Sequence, residues 1–171
     1  MNIESSILLL IMILVGAIPI VIINKKRKVK EKQFLQTLIS LAEKSNSIIT
    51  EQDKWGDRII GIDKMTHKMF FIKKTAENES GIEIDLDEMK KCRFINTHSV
   101  VTFKESSQKV TERLELAFAY NDPQKPDLIL EFYNSAYDSL TLRDEINLAE
   151  KWSAIANYEI SRERRSNIGM K

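Results

Sequence analysis

The longest apolar run in the chain lies near its N-terminus. Ser5 to Ile23 contains 19 consecutive residues without a formal charge. As a helix rising about 1.5 Å per residue, this run would span about 28 Å, which matches the hydrocarbon thickness of a bilayer. Membrane helices tolerate both Gly16 and Pro19. The run therefore predicts a transmembrane anchor over residues 1–23, in preference to a buried core helix.

The residues on either side of this run predict its orientation and argue against a cleaved signal peptide. The preceding residues, MNIE, are acidic rather than basic, and no small-residue cleavage site follows Ile23. A basic cluster follows instead: Lys25, Lys26, Arg27, Lys28, Lys30 and Lys32. Positive charges flank the cytoplasmic end of membrane helices. We therefore predict a single-pass protein of the plasma (inner) membrane, anchored in the lipid bilayer through residues 5–23, with its N-terminus outside and its C-terminal domain in the cytoplasm.

Residues 24–54 are predicted to form the basic juxtamembrane segment and then a connector helix. From Gln33 to about Gln52, steps of three and four residues place most apolar side chains on one stripe. These side chains are Phe34, Leu35, Leu38, Ile39, Leu41, Ala42, Ile48 and Ile49. Ser45-Asn46-Ser47 is a weak patch that could end or loosen the helix. The stripe either packs on the following domain, which we favour, or pairs two anchors in a weak homodimer. Two heptads are fewer than a coiled coil needs.

Beyond Trp55 the apolar spacing changes to the period of two that is typical of β-strands. Two of these runs are separated by Lys64-Met65-Thr66 and predict a hairpin. Val110–Tyr120 shows the clearest alternation, and Pro123 and Pro126 then interrupt regular structure. The predicted strands are Arg58–Asp63, His67–Lys73, Ile82–Leu86, Lys91–Asn96, Val100–Lys104, Val110–Tyr120 and Asp127–Asn134.

The last predicted element is an amphipathic helix. Thr141, followed three residues later by Asp144, resembles a capping box. One helical stripe then carries Leu142, Ile146, Ala149, Trp152 and Ala156, which we predict as its buried core. The globular domain is placed at residues 55–160, and a polar, frayed tail at 161–171.

Six or seven strands followed by one helix with a central tryptophan predict an α+β fold: a small antiparallel barrel or sheet capped by the C-terminal helix. This order resembles the pleckstrin-homology-like superfamily, and the whole chain resembles bacterial membrane proteins with one membrane helix and a small cytosolic domain. A cone-shaped α+β domain of the nuclear-transport-factor type is the alternative. Lipid-binding members of the first superfamily imply basic residues around the first hairpin, which here are Arg58, Lys64, Lys68, Lys73 and Lys74. Asp57 and Asp63 reduce the positive charge around this hairpin, and its turn is short. No headgroup site is therefore predicted.

Charge is distributed unevenly along the chain. The net charge is +1, but residues 1–23 carry one negative charge and Lys25–Lys32 carry a net +5, so the remainder carries −3. A mildly acidic domain does not fit a nucleic-acid partner, which usually meets a basic face. One cysteine, Cys92, excludes an internal disulfide and a cysteine-based metal cluster.

No motif in the sequence predicts catalysis, a cofactor or a metal ion. His67 and His98 are far apart, and the acidic run Asp85, Asp87 and Glu88 lacks the glycine and ligand spacing of a calcium loop. The five glycines never cluster, so a phosphate-cradling loop is absent from the sequence. We therefore predict no catalytic, cofactor-binding or metal-ligating residues.

These patterns favour a membrane-anchored adaptor that recruits a protein partner. A sheet edge or the groove beside the terminal helix could take an extended peptide, with Tyr120, Tyr133 and Tyr137 as aromatic anchors near strand ends. The alternative is a sensor of anionic lipid surfaces that uses the juxtamembrane cluster together with the hairpin lysines. An enzyme is a distant third.

Overall fold

The computed structural model describes residues 32–75, 79–103, 106–138, 142 and 144–169, and consists mainly of β-strands. Helix α1 occupies residues 32–43. The strands are β1 (Glu51–Trp55), β2 (Arg58–Asp63), β3 (Lys68–Lys74), β4 (Glu79–Asp85), β5 (Met89–Phe103), β6 (Ser106–Tyr120) and β7 (Leu128–Asn134). A short 3₁₀ turn, Leu86–Glu88, joins β4 to β5, and helix α2 (Glu145–Gly169) closes the fold.

The strands form two antiparallel sheets, and this arrangement corrects the predicted fold class. Sheet 1 has the order β1-β2-β3-β4, and sheet 2 has the order β5-β6-β7. The prediction of an α+β fold with one small barrel or sheet was wrong: the described residues are mostly β, with seven strands divided between two sheets and a C-terminal helix. Alternation identifies a strand but carries no information about its neighbours, which explains the error.

No helix among the described residues is long and apolar enough to cross a membrane. The membrane anchor predicted at residues 5–23 lies outside the described residues, as do Lys25, Lys26, Arg27, Lys28 and Lys30 of the basic cluster. Lys32 is described and is exposed.

Helix α1 covers the outer face of sheet 1. Phe34, Leu38 and Ala42 are buried there, in a cluster with Ile59, Phe70 and Ile72 of β2 and β3. Gly61 allows the close approach, because a Cβ at this position would lie 2.9 Å from Leu38 Cδ2. The apolar stripe of this helix therefore packs on the domain, and dimerisation through it stays a prediction.

Helix α1 ends earlier than its apolar spacing predicted. The helix stops at residue 43, just before the polar patch Ser45-Asn46-Ser47 that the sequence marked as a possible end, and β1 begins at Glu51. Asn46 has a φ of 53°, and Ser47 N donates to Ala42 O at 3.0 Å. A left-handed residue and this returning hydrogen bond are typical of a helix C-terminus.

The main core lies between the inner face of sheet 1, sheet 2 and α2. Ala149, Trp152 and Ala156 are fully buried at its centre, and Leu142 and Ile146 pack against it while partly exposed. Helix α2 continues to Gly169, so it is longer than the predicted helix with a frayed tail.

Strands β5 and β6 are both 15 residues long. The sequence predicted two strands, Lys91–Asn96 and Val100–Lys104, where β5 is continuous through a bulge between Thr97 and His98. The two long strands pair from Met89 with Tyr120 to Phe103 with Ser106. His98 consequently lies within a strand and not beside a turn.

Candidate functional site

A groove lies between α1 and the start of β1. Its volume is about 430 Å³. The lining residues are Leu35, Ile39, Ala42, Glu43, Ser47, Ile48, Ile49, Thr50, Glu51 and Gln52. We call this the α1–β1 groove. Its wall is largely aliphatic, and the two charged residues that line it, Glu43 and Glu51, are both acidic.

The segment between α1 and β1 forms one wall of the groove because the following hairpin holds it in place. The Asp63 carboxylate accepts hydrogen bonds from Ile48 N and from Met65 N, both at 2.8 Å. Burial alone would raise the pKa of Asp63, but these hydrogen bonds outweigh it and lower the pKa. Ser47 Oγ lies 2.8 Å from Thr66 Oγ1 and adds a second link.

Ile48 projects from this fixed segment into solvent. Its side chain is 77% exposed although its backbone is tied to Asp63. A single exposed aliphatic residue is common on protein surfaces, but Ile48 lies on an anchored backbone beside an apolar groove, where it can contribute binding energy without reordering.

Strand β1 borders the groove and is an edge of sheet 1. It pairs with β2, from Glu51 with Ile62 to Trp55 with Arg58, and no other described strand pairs with it. Glu51 also contacts Lys64 Nζ at 2.9 Å and Lys151 Nζ at 3.2 Å. The hydrogen bond from Lys64 is the main reason that the pKa of Glu51 is lowered.

A second polar feature joins the two sheets, and its centre is Arg58. This side chain is 4% exposed, and its guanidinium donates to both carboxylate oxygens of Asp138, at 3.0 and 2.8 Å. Arg58 Nε also donates to Glu131 O at 2.9 Å. Nearby, Trp55 Nε1 donates to Phe132 O at 2.8 Å. These bonds fix the β1–β2 end of sheet 1 to β7.

Glu131 extends this inter-sheet cluster toward the surface. It accepts from Lys73 Nζ at 2.5 Å and from Asn134 Nδ2 at 2.9 Å, and it also bonds the Tyr137 hydroxyl. Burial alone would raise the pKa of Glu131, but the hydrogen bonds from Lys73 and Asn134 outweigh it and lower the pKa. Lys73 Nζ also lies 4.7 Å from the centre of the Tyr137 ring.

A cavity of about 400 Å³ lies beside the inter-sheet cluster. It is lined by Asp57, Arg58, Lys73, Lys74, Thr75, Tyr137 and Asp138. Opposite charges are mixed in this wall, and Arg58, Lys73 and Lys74 each bind a carboxylate. The pairs formed by Arg58 and Lys73 hold the two sheets together. Because positive and negative charges are mixed in the wall, the cavity has no strong electrostatic potential of one sign that would attract an ionic ligand.

In the structure, each basic side chain of the first hairpin that the family resemblance implies forms an ion pair with a carboxylate. Arg58 is buried on Asp138, as described above. The other four ion pairs are Lys64–Glu51 at 2.9 Å, Lys68–Glu83 at 2.6 Å, Lys73–Glu131 at 2.5 Å and Lys74–Glu79 at 3.5 Å. The geometry therefore provides no cationic cradle for a phosphate headgroup at this hairpin.

Of the remaining candidates from the sequence, the structure brings His67 to Asp87 of the acidic run, while His98 lies apart on β5. His67 lies 3.2 Å from Asp87 and 2.9 Å from Arg162, whereas His98 lies on β5, 3.4 Å from the Thr111 hydroxyl. Cys92 is buried, and burial raises the pKa of its thiol to about 12, so it is a poor nucleophile. Within the described ranges no group of three His, Cys, Asp or Glu side chains could hold a metal ion.

The comparisons with known proteins add no identity to this site. No family model, curated protein or solved structure matches the chain. The resemblance to the pleckstrin-homology-like superfamily therefore stays untested. Sequence reasoning missed Ile48 as an exposed residue, because it assigned that position to a helical stripe. The groove it considered, beside the terminal helix, is a different one and stays a prediction.

Proposed function

We propose that this protein is a binding module that recruits a protein partner through the α1–β1 groove, from a position at the membrane set by the apolar segment 5–23. The observation that carries the proposal is the groove itself. It combines a cavity of about 430 Å³, an edge strand and the 77% exposed Ile48. Pockets of this size with mainly apolar walls are the usual sites of ligand contact.

The partner segment is expected to be extended, with apolar side chains and a basic flank. An extended segment can add to the free edge of β1 by main-chain hydrogen bonds, while its apolar side chains fill the space beside Leu35 and Ile39. Glu51 already binds Lys64 and Lys151, so Glu43 is the acidic group that the groove offers, and a basic residue of the partner fits beside it.

The anionic-lipid alternative receives less support from the described residues. The four hairpin lysines each form an ion pair with a carboxylate: Lys64, Lys68, Lys73 and Lys74. Arg58 is buried. Lipid binding would thus depend on the juxtamembrane residues 25–32, since the domain itself presents an acidic groove.

The test compares two exposed apolar residues, one that lines the groove and one that does not. Ile48 lines the groove and is 77% exposed, while Met65 lies on the β2–β3 turn and is 87% exposed. Full-length protein, Ile48→Glu and Met65→Glu would be captured from native membranes in mild detergent, and bound proteins compared quantitatively. Trp152→Ala provides a misfolded reference.

We expect a partner that is retained by the wild type and by Met65→Glu and is lost by Ile48→Glu. A photo-cross-linking side chain at position 48 should label that partner, and the same group at position 65 should not. Equal retention by both variants would contradict the groove assignment. Flotation with anionic liposomes in the absence of any captured protein would support the lipid alternative instead.

A further inference from the structure

Sheet 2 extends into a two-stranded ribbon that its third strand does not support. Strand β7 pairs with β6 only from Arg113 to Phe118, whereas β5 and β6 continue together to Phe103 and Ser106. We call residues 97–103 of β5 and 106–112 of β6 the β-ribbon. An isolated two-stranded ribbon is marginally stable in water, so this length favours additional pairing.

Side chains from other elements cover part of the outer edges of sheet 2. On β5, Cys92 N donates to Asn157 Oδ1 at 2.9 Å, and Asn157 Nδ2 donates to Cys92 O at 2.8 Å. On β7, the carbonyls of Phe132 and Glu131 accept from Trp55 and Arg58. Bonds of this kind protect strand edges from unwanted pairing.

The outer edge of residues 97–103 is different. In the described chain β5 is an edge strand, and no third strand pairs with these residues. Their sequence, THSVVTF, contains no Lys, Arg, Asp, Glu or Pro, which are the residues that usually discourage edge pairing. Val100 is 62% exposed on this edge. The segment is also rich in the β-branched residues that strands favour.

We infer that the β-ribbon is a self-association surface, where β5 of one copy pairs antiparallel with β5 of a second copy around Val100. A two-fold axis at this residue places Val100 opposite its own copy, Ser99 opposite Val101 and His98 opposite Thr102. No formal charges face each other in this register, and β-branched side chains meet at the centre. The result is a continuous six-stranded sheet across the dimer.

The neutrality of the edge is the argument for a second copy over a foreign strand. A strand that recognises a different partner usually carries charges that complement it and reject its own copy. Residues 97–103 have only His98 as a titratable group, and self-pairing brings it opposite a threonine. This surface is separate from the α1–β1 groove, so the inference does not depend on the proposed function.

Two matched substitutions on neighbouring strands test the inference. Val100 is 62% exposed on β5, and Val110 is 40% exposed on β6, one strand away from the proposed axis. Full-length protein in mild detergent would be examined by density-matched sedimentation equilibrium over a range of concentrations. We expect the wild type and Val110→Lys to approach twice the chain mass of 19.8 kDa. Val100→Lys should remain at the monomer mass, because two lysines would face each other.

Cross-linking gives an independent readout. Val100→Cys should form a disulfide-linked dimer on mild oxidation, while Val110→Cys should form far less, and the native Cys92 is buried and does not compete. A monomeric wild type at all concentrations would overturn the inference and leave the edge to another protein. Equal behaviour of the two lysine variants, or equal cross-linking of the two cysteine variants, would overturn it as well.

Discussion

Trp152 and Asp53 join the terminal helix to the first strand by a partly buried hydrogen bond. Trp152 Nε1 donates to Asp53 Oδ2 at 2.9 Å, and Lys151 Nζ lies 2.6 Å from the same oxygen. The indole ring is fully buried in the main core. One carboxylate on an edge strand therefore binds two neighbouring side chains of α2 and helps to position this helix along sheet 1.

Trp152→Phe separates the contribution of this hydrogen bond from that of the ring. We expect the variant to lower the free energy of unfolding by about 1–3 kcal/mol, since Asp53 loses one of its donors. Trp152→Ala should cost about 3–5 kcal/mol, because it also leaves a cavity. Urea unfolding followed by circular dichroism measures both values. A phenylalanine variant as stable as the wild type would show that the hydrogen bond adds nothing.

Arg58→Ala should be among the most damaging single changes at a charged position. It leaves Asp138 without its bidentate partner inside the fold, which typically costs about 3–5 kcal/mol. Arg93→Ala is the matched control, because the Arg93 side chain is 50% exposed in its ion pair with Asp127. Exposed pairs contribute about 0–1 kcal/mol. Comparable losses in the two variants would contradict the structural role assigned to Arg58.

Glu131 should give the fold an acid-sensitive component. Its folded-state pKa is lowered from the unfolded value of about 4.3, so it stabilises the fold above that pH and loses this contribution as the pH falls through the folded pKa. We expect Glu131→Gln to be about 1–3 kcal/mol less stable than the wild type at pH 7.

The difference between Glu131→Gln and the wild type should shrink as the pH falls below about 4. Urea unfolding at a series of pH values measures it. Glu88→Gln serves as a control, because Glu88 forms a surface pair with Lys125 and is 55% exposed. A difference from wild type that stays constant from pH 7 to pH 3 would show that the Glu131 carboxylate is not the group responsible.

Two glycine-to-alanine changes should distinguish packing of α1 from backbone strain. At Gly61 the new Cβ would lie 2.9 Å from Leu38 and 3.0 Å from Ile49. Overpacking of this kind costs about 1–3 kcal/mol. Because both contacts belong to the elements around the α1–β1 groove, Gly61→Ala should also weaken partner capture.

Gly56→Ala is the comparison, since Gly56 has a φ of +47° with no atom within 4 Å of the added carbon. It should lose about 1–2 kcal/mol through the left-handed backbone alone and retain the partner. Thermal unfolding together with the capture assay gives both quantities. Loss of the partner in both variants would contradict the assignment of Gly61 to α1 packing.

Local sequence patterns located several elements but not their arrangement. The β2–β3 hairpin follows from two short β-rich runs on either side of a turn, and the buried stripe of α2 follows from a period of 3.6 residues. Strand β1, with the sequence EQDKW, has no such pattern because its polar side chains bond α2 and the hairpin. The inter-sheet cluster joins Arg58 to Glu131, which is 73 positions away, and to Asp138, which is 80 positions away. No short-range sequence pattern predicts such a pairing.

The double burial of β2 and β3 has a consequence for the motion of the chain. All six residues of β2 are buried, with α1 on one side and the main core on the other. Solvent can reach the amides of this strand only after a helix or a whole sheet has moved away, so their hydrogen exchange should require nearly global opening. These amides should be the last to exchange with deuterium, and removal of residues 32–43 should turn the slowest part of the molecule into an exposed, aggregation-prone surface.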